Sequence, residues 1–380
     1  MPSQIFSMTD QELFYLLALQ KVDGVGDIVA KKLINHCGNA QEIFATRSAQ
    51  LTSIDGVGSV LLRKLKDKTI FEKAEKELKF IKENNINVLF FQDENYPDKL
   101  KHCIDGPVLL FTTGNINLNK KKIISIVGTR QITSYGTEFC KNLISDLAPL
   151  DPIIVSGFAY GVDIVAHQAA MDHGLQTIAV VAHGLNQIYP KVHKKYVSKM
   201  EQNGGFMTDF WSNTNPEKEN FVRRNRIVAG MSEATIVIES ADRGGSLITA
   251  NIANDYNRDV FAVPGRTTDK YSQGCNNLIK TQKANLLTSA ADLVYILNWD
   301  LDEIASKTGN NKKPVQKQLF VSLEENEQKI YDFLLKNGKE LLDIIALECD
   351  FPVYKISGTL LNMELKGVIR PLPGKLFEAI

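Results

Sequence analysis

At 380 residues with 44% hydrophobic residues, the chain is long enough for two or three domains, each burying its own core. Lysine plus arginine and aspartate plus glutamate each total 44, so any surface for an acidic polymer must arise from local clustering, not from a basic chain. The five cysteines, Cys37, Cys103, Cys140, Cys275 and Cys349, are far apart and odd in number, which argues against a disulfide framework or a zinc cluster; with no signal-like start and no segment of membrane-spanning length, a soluble cytoplasmic protein is expected.

The first 70 residues repeat themselves. Val22-Asp23-Gly24-Val25-Gly26 precedes Ala30-Lys31-Lys32-Leu33, and Ile54-Asp55-Gly56-Val57-Gly58 precedes Leu62-Arg63-Lys64-Leu65. Each copy sets a glycine turn between two short helical patterns and resembles a tandem helix-hairpin-helix, a module whose hairpin amides approach a DNA phosphate. Asp23 and Asp55 put the wrong charge beside those turns, so a packing or protein-contact role stays equally open.

A charged amphipathic helix at 71–83 and strands at 87–91 and 108–112 read as an extension of a larger sheet. From Lys122, strands at 123–127, 153–155, 177–181, 234–239 and 259–263 alternate with helical patterns, the signature of a parallel sheet covered on both faces. Ligands of such sheets sit at the carboxyl ends of the strands, where the glycine turns fall. Gly128-Thr129-Arg130 closes the first strand, and its lone glycine falls short of a dinucleotide fingerprint. Ser156-Gly157-Phe158-Ala159-Tyr160-Gly161-Val162-Asp163 closes the second. Asp163 and His167 lie one helical turn apart but lack a third ligand, so the expectation is a helix-start aspartate and a satisfied structural histidine.

After the third strand, Tyr189-Pro190-Lys191 with Lys194, Lys195 and Lys199 form a basic helix start, and Lys218, Arg223, Arg224 and Arg226 follow; between 191 and 226 these eight cations face four acidic residues. Tyr189 and Phe221 lie within this stretch, available either for stacking on bases or for core packing. Beyond strand 234–239, Arg243 leads into Gly244-Gly245, and Ser246 sits where a helix N-cap belongs. Amides at a helix start with arginines around them attract phosphate oxygens. No general base, nucleophile or metal cluster accompanies them, so phosphate-backbone binding is expected without catalysis, cofactor or metal.

Residues 301–322, including Lys307-Thr308-Gly309-Asn310-Asn311-Lys312-Lys313-Pro314, read as a flexible linker. The remainder, 323–380, offers helices at 324–337, 341–348 and 353–366 and a closing hairpin, and resembles a winged helix. Its third helix carries Tyr354, Lys355, Asn362 and Glu364 where a DNA reader would carry several arginines or asparagines, which favours a protein-contact or accessory role.

Ordered along the chain stand Val127 to Arg130, Ser156 to His167, Gly184 to Pro190, Phe221 to Gly230, Gly245 to Ala250, Val263 to Gly265 and then Ser272 to Ile279. In this order and spacing they resemble the motifs of the DNA-processing protein A (DprA/Smf) family. Departures are small: Gly244 stands where the family usually has serine, Thr208-Asp209 where it often has Ser-Glu, and Lys283 where glycine is common. The resemblance implies an α/β fold. An extended Rossmann-like parallel-sheet domain (71–300) would lie between a helix-hairpin-helix or SAM-like domain (1–70) and a winged-helix domain (323–380).

The resemblance also implies a non-catalytic protein that binds and shields single-stranded DNA in natural transformation, helps load the RecA recombinase, and forms a homodimer through the Rossmann-like domain. On the combined reading, DNA contact is assigned to Gly128, Arg130, Gly157, Lys191, Lys194, Phe221, Arg224, Asn225, Arg226, Arg243, Gly244, Gly245 and Ser246. The competing expectation is a nucleotide-monophosphate phosphoribohydrolase on a related sheet. Pro264-Gly265-Arg266-Thr267-Thr268-Asp269 lacks that family's glycine-rich loop and carboxylate.

Overall fold

The computed structural model describes residues 8–119, 122–299, 323–366, 368–372 and 376–379; the expected linker at 301–322 lies outside them. The chain divides into two compact units, Met1–Ile304 and Ala305–Ile380.

The first unit opens with helices α1 (Asp10–Gln20), α2 (Asp27–Cys37), α3 (Ala40–Ala45), α4 (Ser48–Leu51), α5 (Ser59–Lys64) and α6 (Thr69–Glu83). Thr9 and Glu12 close a reciprocal capping box at the start of α1. The repeated turns adopt one geometry: Gly24 and Gly56 take φ of +90° and +89°, a region that penalises any side chain. The flanking aspartates are cross-paired, Asp23 with Lys64 at 2.5 Å and Asp55 with Lys32 at 2.6 Å. Each repeat thus neutralises the acid of the other.

The α/β region runs β1 (Asn87–Phe90), α7 (Asp98–Lys101), β2 (Leu109–Gly114), β3 (Ile123–Val127), α8 (Ser134–Leu147), β4 (Ile153–Ser156), α9 (Val162–Asp172) and β5 (Thr177–Val180). It continues through α10 (Val197–Gln202), β6 (Gly204–Thr208), α11 (Lys218–Met231), β7 (Ala234–Val237), α12 (Gly245–Asp255), β8 (Asp259–Ala262), α13 (Gln273–Lys280), β9 (Asn285–Leu286) and α14 (Ala290–Ile296).

The strands of this region form one sheet in the order β1-β2-β6-β5-β4-β3-β7-β8-β9. The pairings from β6 to β9 are parallel, and β1 and β2 add an antiparallel edge. Alternation along β3 sends Ile124 and Ile126 into the core under α8 and α9, and Ile123 and Val127 into the core under α11 and α12. Both faces are covered, which is why the strands read as unbroken apolar runs.

Strand β6 was not anticipated from the sequence, because Gly204-Gly205 reads as a turn signal. In the fold those glycines let three strands approach. A Cβ at 204 would lie 2.0 Å from the Thr177 carbonyl oxygen, and one at 205 would lie 1.9 Å from that of Thr113.

The amino-terminal helices close over the antiparallel edge. Leu16, Leu17, Ile70, Ala74 and Ile81 share a continuous core with Val108, Leu109, Phe111 and Trp211. The second unit comprises α15 (Glu325–Asn337), β10 (Glu340–Leu341), α16 (Leu342–Glu348), α17 (Val353–Leu365), β11 (Ile369–Leu372) and β12 (Leu376–Ala379). It has its own three-stranded sheet, β10-β12-β11, and its own core around Ile330, Leu334, Ile345, Leu360 and Ile369.

Candidate nucleic-acid interface

Strands after β3 are added first on one side of it, as β4, β5 and β6, and then on the other, as β7 and β8. Such a reversal opens a crevice above the strand ends. A crevice of about 760 Å³ lies there, lined by the ends of β3, β4 and β7, by α11 and by the start of α12.

Glycines set its floor. A Cβ at 128 would meet Val162 Cγ2 at 2.4 Å and the Glu239 carbonyl oxygen at 2.9 Å, so the β3 turn packs directly on its neighbours. Gly161, at φ +76°, lies so close that a Cβ would sit 2.1 Å from the Thr129 carbonyl oxygen. At 157 a Cβ would strike Asp163 Oδ2 at 2.4 Å and Arg224 Nη2 at 2.7 Å. Beneath this floor Arg224 is buried and donates to the Val180 carbonyl, while Asp163 accepts from the Ala159 amide at 3.1 Å. Burial lowers the Arg224 pKa, opposed chiefly by Asp163; burial likewise raises the Asp163 carboxyl, opposed chiefly by Arg224.

Arg130, Lys218 and Arg243 rise from three different elements around the crevice, all exposed and, among the described residues, none in an ion pair. The Arg130 guanidinium lies 5.5 Å from the Phe221 ring centroid, and Tyr189 meets Phe221 edge-on at 6.0 Å. At the far wall Gly244 is the N-cap of α12, and the Cβ position of Gly245 has nothing within 4 Å, leaving the helix start open. Eleven residues of aligned peptide dipoles point their positive end into the crevice.

Most of the expected contact residues converge. Gly128, Arg130, Gly157, Phe221, Arg224, Asn225, Arg243, Gly244, Gly245 and Ser246 line this one crevice. Lys191 and Lys194 are exposed on a 3-10 stretch, Lys191–Tyr196, but are not on its wall. Lys199, expected in the same basic face, is ion-paired with Asp172 at 2.8 Å.

Two expectations need correction. Ser246 is not the N-cap of α12: it stands inside the first turn, and its hydroxyl donates to Ser240 Oγ at 2.9 Å, because the side-chain-free Gly244 already holds the cap position. Arg226 does not join the crevice. It is buried on the opposite face of α11, where Nη2 bridges Asp209 Oδ2 at 2.7 Å and Asp27 Oδ2 at 3.0 Å, with Arg223 3.3 Å from Asp209. Asp209 and Asp27 raise the Arg226 pKa despite its burial. This quartet lines a second cavity, about 770 Å³, between α2 and α11.

Lys218 also lines the crevice, although by sequence it stood out only as one of the cations between 191 and 226. Its signal was helical spacing: Lys218, Phe221 and Asn225 recur at three and four residues along α11 and so share a face.

Residues spaced for acid–base work are occupied. His167 is fully buried, with Nδ1 2.7 Å from Thr177 Oγ1 and Nε2 2.6 Å from the Gly157 carbonyl, and burial lowers its pKa to about 4. Glu239, at the β7 end, accepts from the Thr133 amide at 2.9 Å and its hydroxyl at 2.5 Å, ordering the start of α8. Among the described residues no group of three His, Cys, Asp or Glu side chains is placed to hold a metal ion, and no helix is long and apolar enough to cross a membrane.

Residues 87–298 match the family model described as DNA recombination-mediator protein A, and residues 321–375 match the DprA winged helix domain. The chain is 33% identical to Protein Smf of Escherichia coli over 79% of either protein. It is 39% identical to the DNA processing protein DprA of Streptococcus pneumoniae, over 53% of this chain and 71% of that one. Among solved structures, the Streptococcus pneumoniae protein superposes with a TM-score of 0.63 at 30% identity, covering 76% of this chain and 98% of its own. DNA processing protein A from Helicobacter pylori, solved to describe its single-stranded DNA binding mode, gives a TM-score of 0.51 at 28% identity over 56% of this chain and 95% of its own.

Proposed function

The chain belongs to the DNA recombination-mediator protein A family, and from that premise we propose that it binds single-stranded DNA in the crevice above β3, β4 and β7. The supporting observation is the convergence of three exposed cations, Arg130, Lys218 and Arg243, with the open start of α12 and the Phe221–Tyr189 pair. Phosphates meet guanidinium, ammonium and peptide N–H groups; bases turn toward the rings, a sequence-tolerant arrangement. Arg224 supports the floor from below, its guanidinium and the Asp163 carboxylate filling the space where a side chain at 157 would lie. No residue is assigned a catalytic role, since His167 and Glu239 are spent on structure.

The wider role follows the family resemblance: shielding of incoming single-stranded DNA during natural transformation, delivery to the RecA recombinase, and action as a homodimer through the Rossmann-like domain. The crevice supports only the DNA-binding part of that role.

Titrating labelled oligothymidine against the full chain at several salt concentrations tests the reading. A footprint of about five phosphates gives a log–log slope of about −3.5. Arg130→Ala, Lys218→Ala and Arg243→Ala should each weaken binding roughly tenfold, the loss expected for about 1.5 kcal/mol of charge-assisted hydrogen bonding, equally for all sequences. A salt-independent affinity, or three silent variants, would refute it.

A further inference from the structure

The second unit carries one acidic surface that also exposes apolar side chains. Between residues 340 and 354 the sequence holds four carboxylates, Glu340, Asp343, Glu348 and Asp350, and no lysine, arginine or histidine. The ion pairs of this unit are Lys339 and Arg370 on Glu378, and Lys366 on Glu327, so among the described residues those four have no ionic partner. Helix α16 sits in this stretch. Its Ile345 and Ala346, with Cys349 just beyond, fill the core, while Ile344 and Leu347, three residues apart on the other side, are 40% and 78% exposed. Leu341 at the helix N-cap is 43% exposed, and Leu361 on the adjoining α17 is 55% exposed.

An exposed leucine singly is ordinary; a stripe of them flanked by unpaired carboxylates is a surface with a chemistry. Carboxylates repel a phosphate backbone, which removes nucleic acid as occupant of this face. Apolar positions at helical spacing between acids are complementary to a helix whose apolar positions alternate with lysine or arginine. We propose that α16 of the winged-helix unit is a docking face for a basic amphipathic helix of a protein partner, with Ile344 and Leu347 as apolar anchors and Asp343 and Glu348 as the charged rim.

The test uses the full chain and a fluorescein-labelled peptide of leucine and lysine arranged in helical register, compared with an isomer of identical composition scrambled out of register. Anisotropy should show saturable binding of the first and at least tenfold weaker binding of the second. Ile344→Ser/Leu347→Ser should reduce affinity roughly tenfold or more, as should Asp343→Lys/Glu348→Lys, while oligothymidine affinity stays unchanged in both. All four side chains are on the surface, so unchanged melting temperatures confirm that the variants fold. Equal binding of the scrambled isomer, insensitivity to both double variants, or a drop in oligothymidine affinity in Ile344→Ser/Leu347→Ser would overturn the proposal, the last by making this a DNA-binding face.

Discussion

At position 167 a histidine fills a space where charge is not tolerated. Both ring nitrogens are within hydrogen-bond distance of protein oxygens, and burial holds the pKa near 4. The unfolded chain protonates this ring near pH 6.5, so it binds more protons than the native state in the interval below. Stability from His167 is therefore complete above about pH 6.5 and is lost as pH falls toward 4, by about 3 kcal/mol at most. His183 and His193 are shifted downward by burial too and act in the same direction; Asp163, shifted upward, opposes them. Urea midpoints measured between pH 7.5 and 4.5 should fall, and His167→Gln, compared at each pH, should show a shallower fall. An identical pH profile for the variant would remove His167 as a cause. By sequence Asp163 was legible as a helix-start residue and His167 as a structural histidine; the partners of the ring, Thr177 and Gly157, were not, since β5 and the turn after β4 bring them to it.

Helix α11 divides the molecule's positive charge. Successive residues on an α-helix are about 100° apart, so Arg224 and Arg226 point to opposite faces while Arg223 and Arg226 share one. Arg224 supports the crevice, and Arg226 clamps Asp27 at the first residue of α2 to Asp209 beyond β6. Removing one member of such a buried cluster leaves the others uncompensated. Arg226→Met should destabilise the protein by about 3–5 kcal/mol. A second change, Asp209→Asn, should recover part of that loss, and the folded variant should retain oligothymidine affinity. Chemical denaturation and the labelled-oligothymidine titration measure both; a tenfold affinity loss with full stability would return Arg226 to the DNA site. In the sequence the three arginines formed a single cluster, because adjacency in the chain was counted without helical phase.

Across the whole first unit, the amino-terminal helices are part of the sheet's cover. Val108, Leu109, Phe111 and Trp211 are buried in one core with residues of α1 and α2, and Asp27 also accepts from the Val108 amide at 2.9 Å. A chain beginning at residue 71 should therefore expose this edge, melt well below the full chain and aggregate. Scattering and calorimetry on the truncated protein decide; an unchanged melting temperature would show the helices to be dispensable. The sequence by itself determined the alternation of strands and helices, the glycine turns at strand ends, the family motifs and the paired hairpins, because each rests on local backbone preference and on apolar periodicity. Only the tertiary structure decided that Gly204-Gly205 is a strand, that Lys218 faces the crevice, and that Arg226 and the first hairpin meet in a buried charge cluster. Those outcomes depend on which surfaces are pressed together across the sheet, and residue order alone does not carry that information.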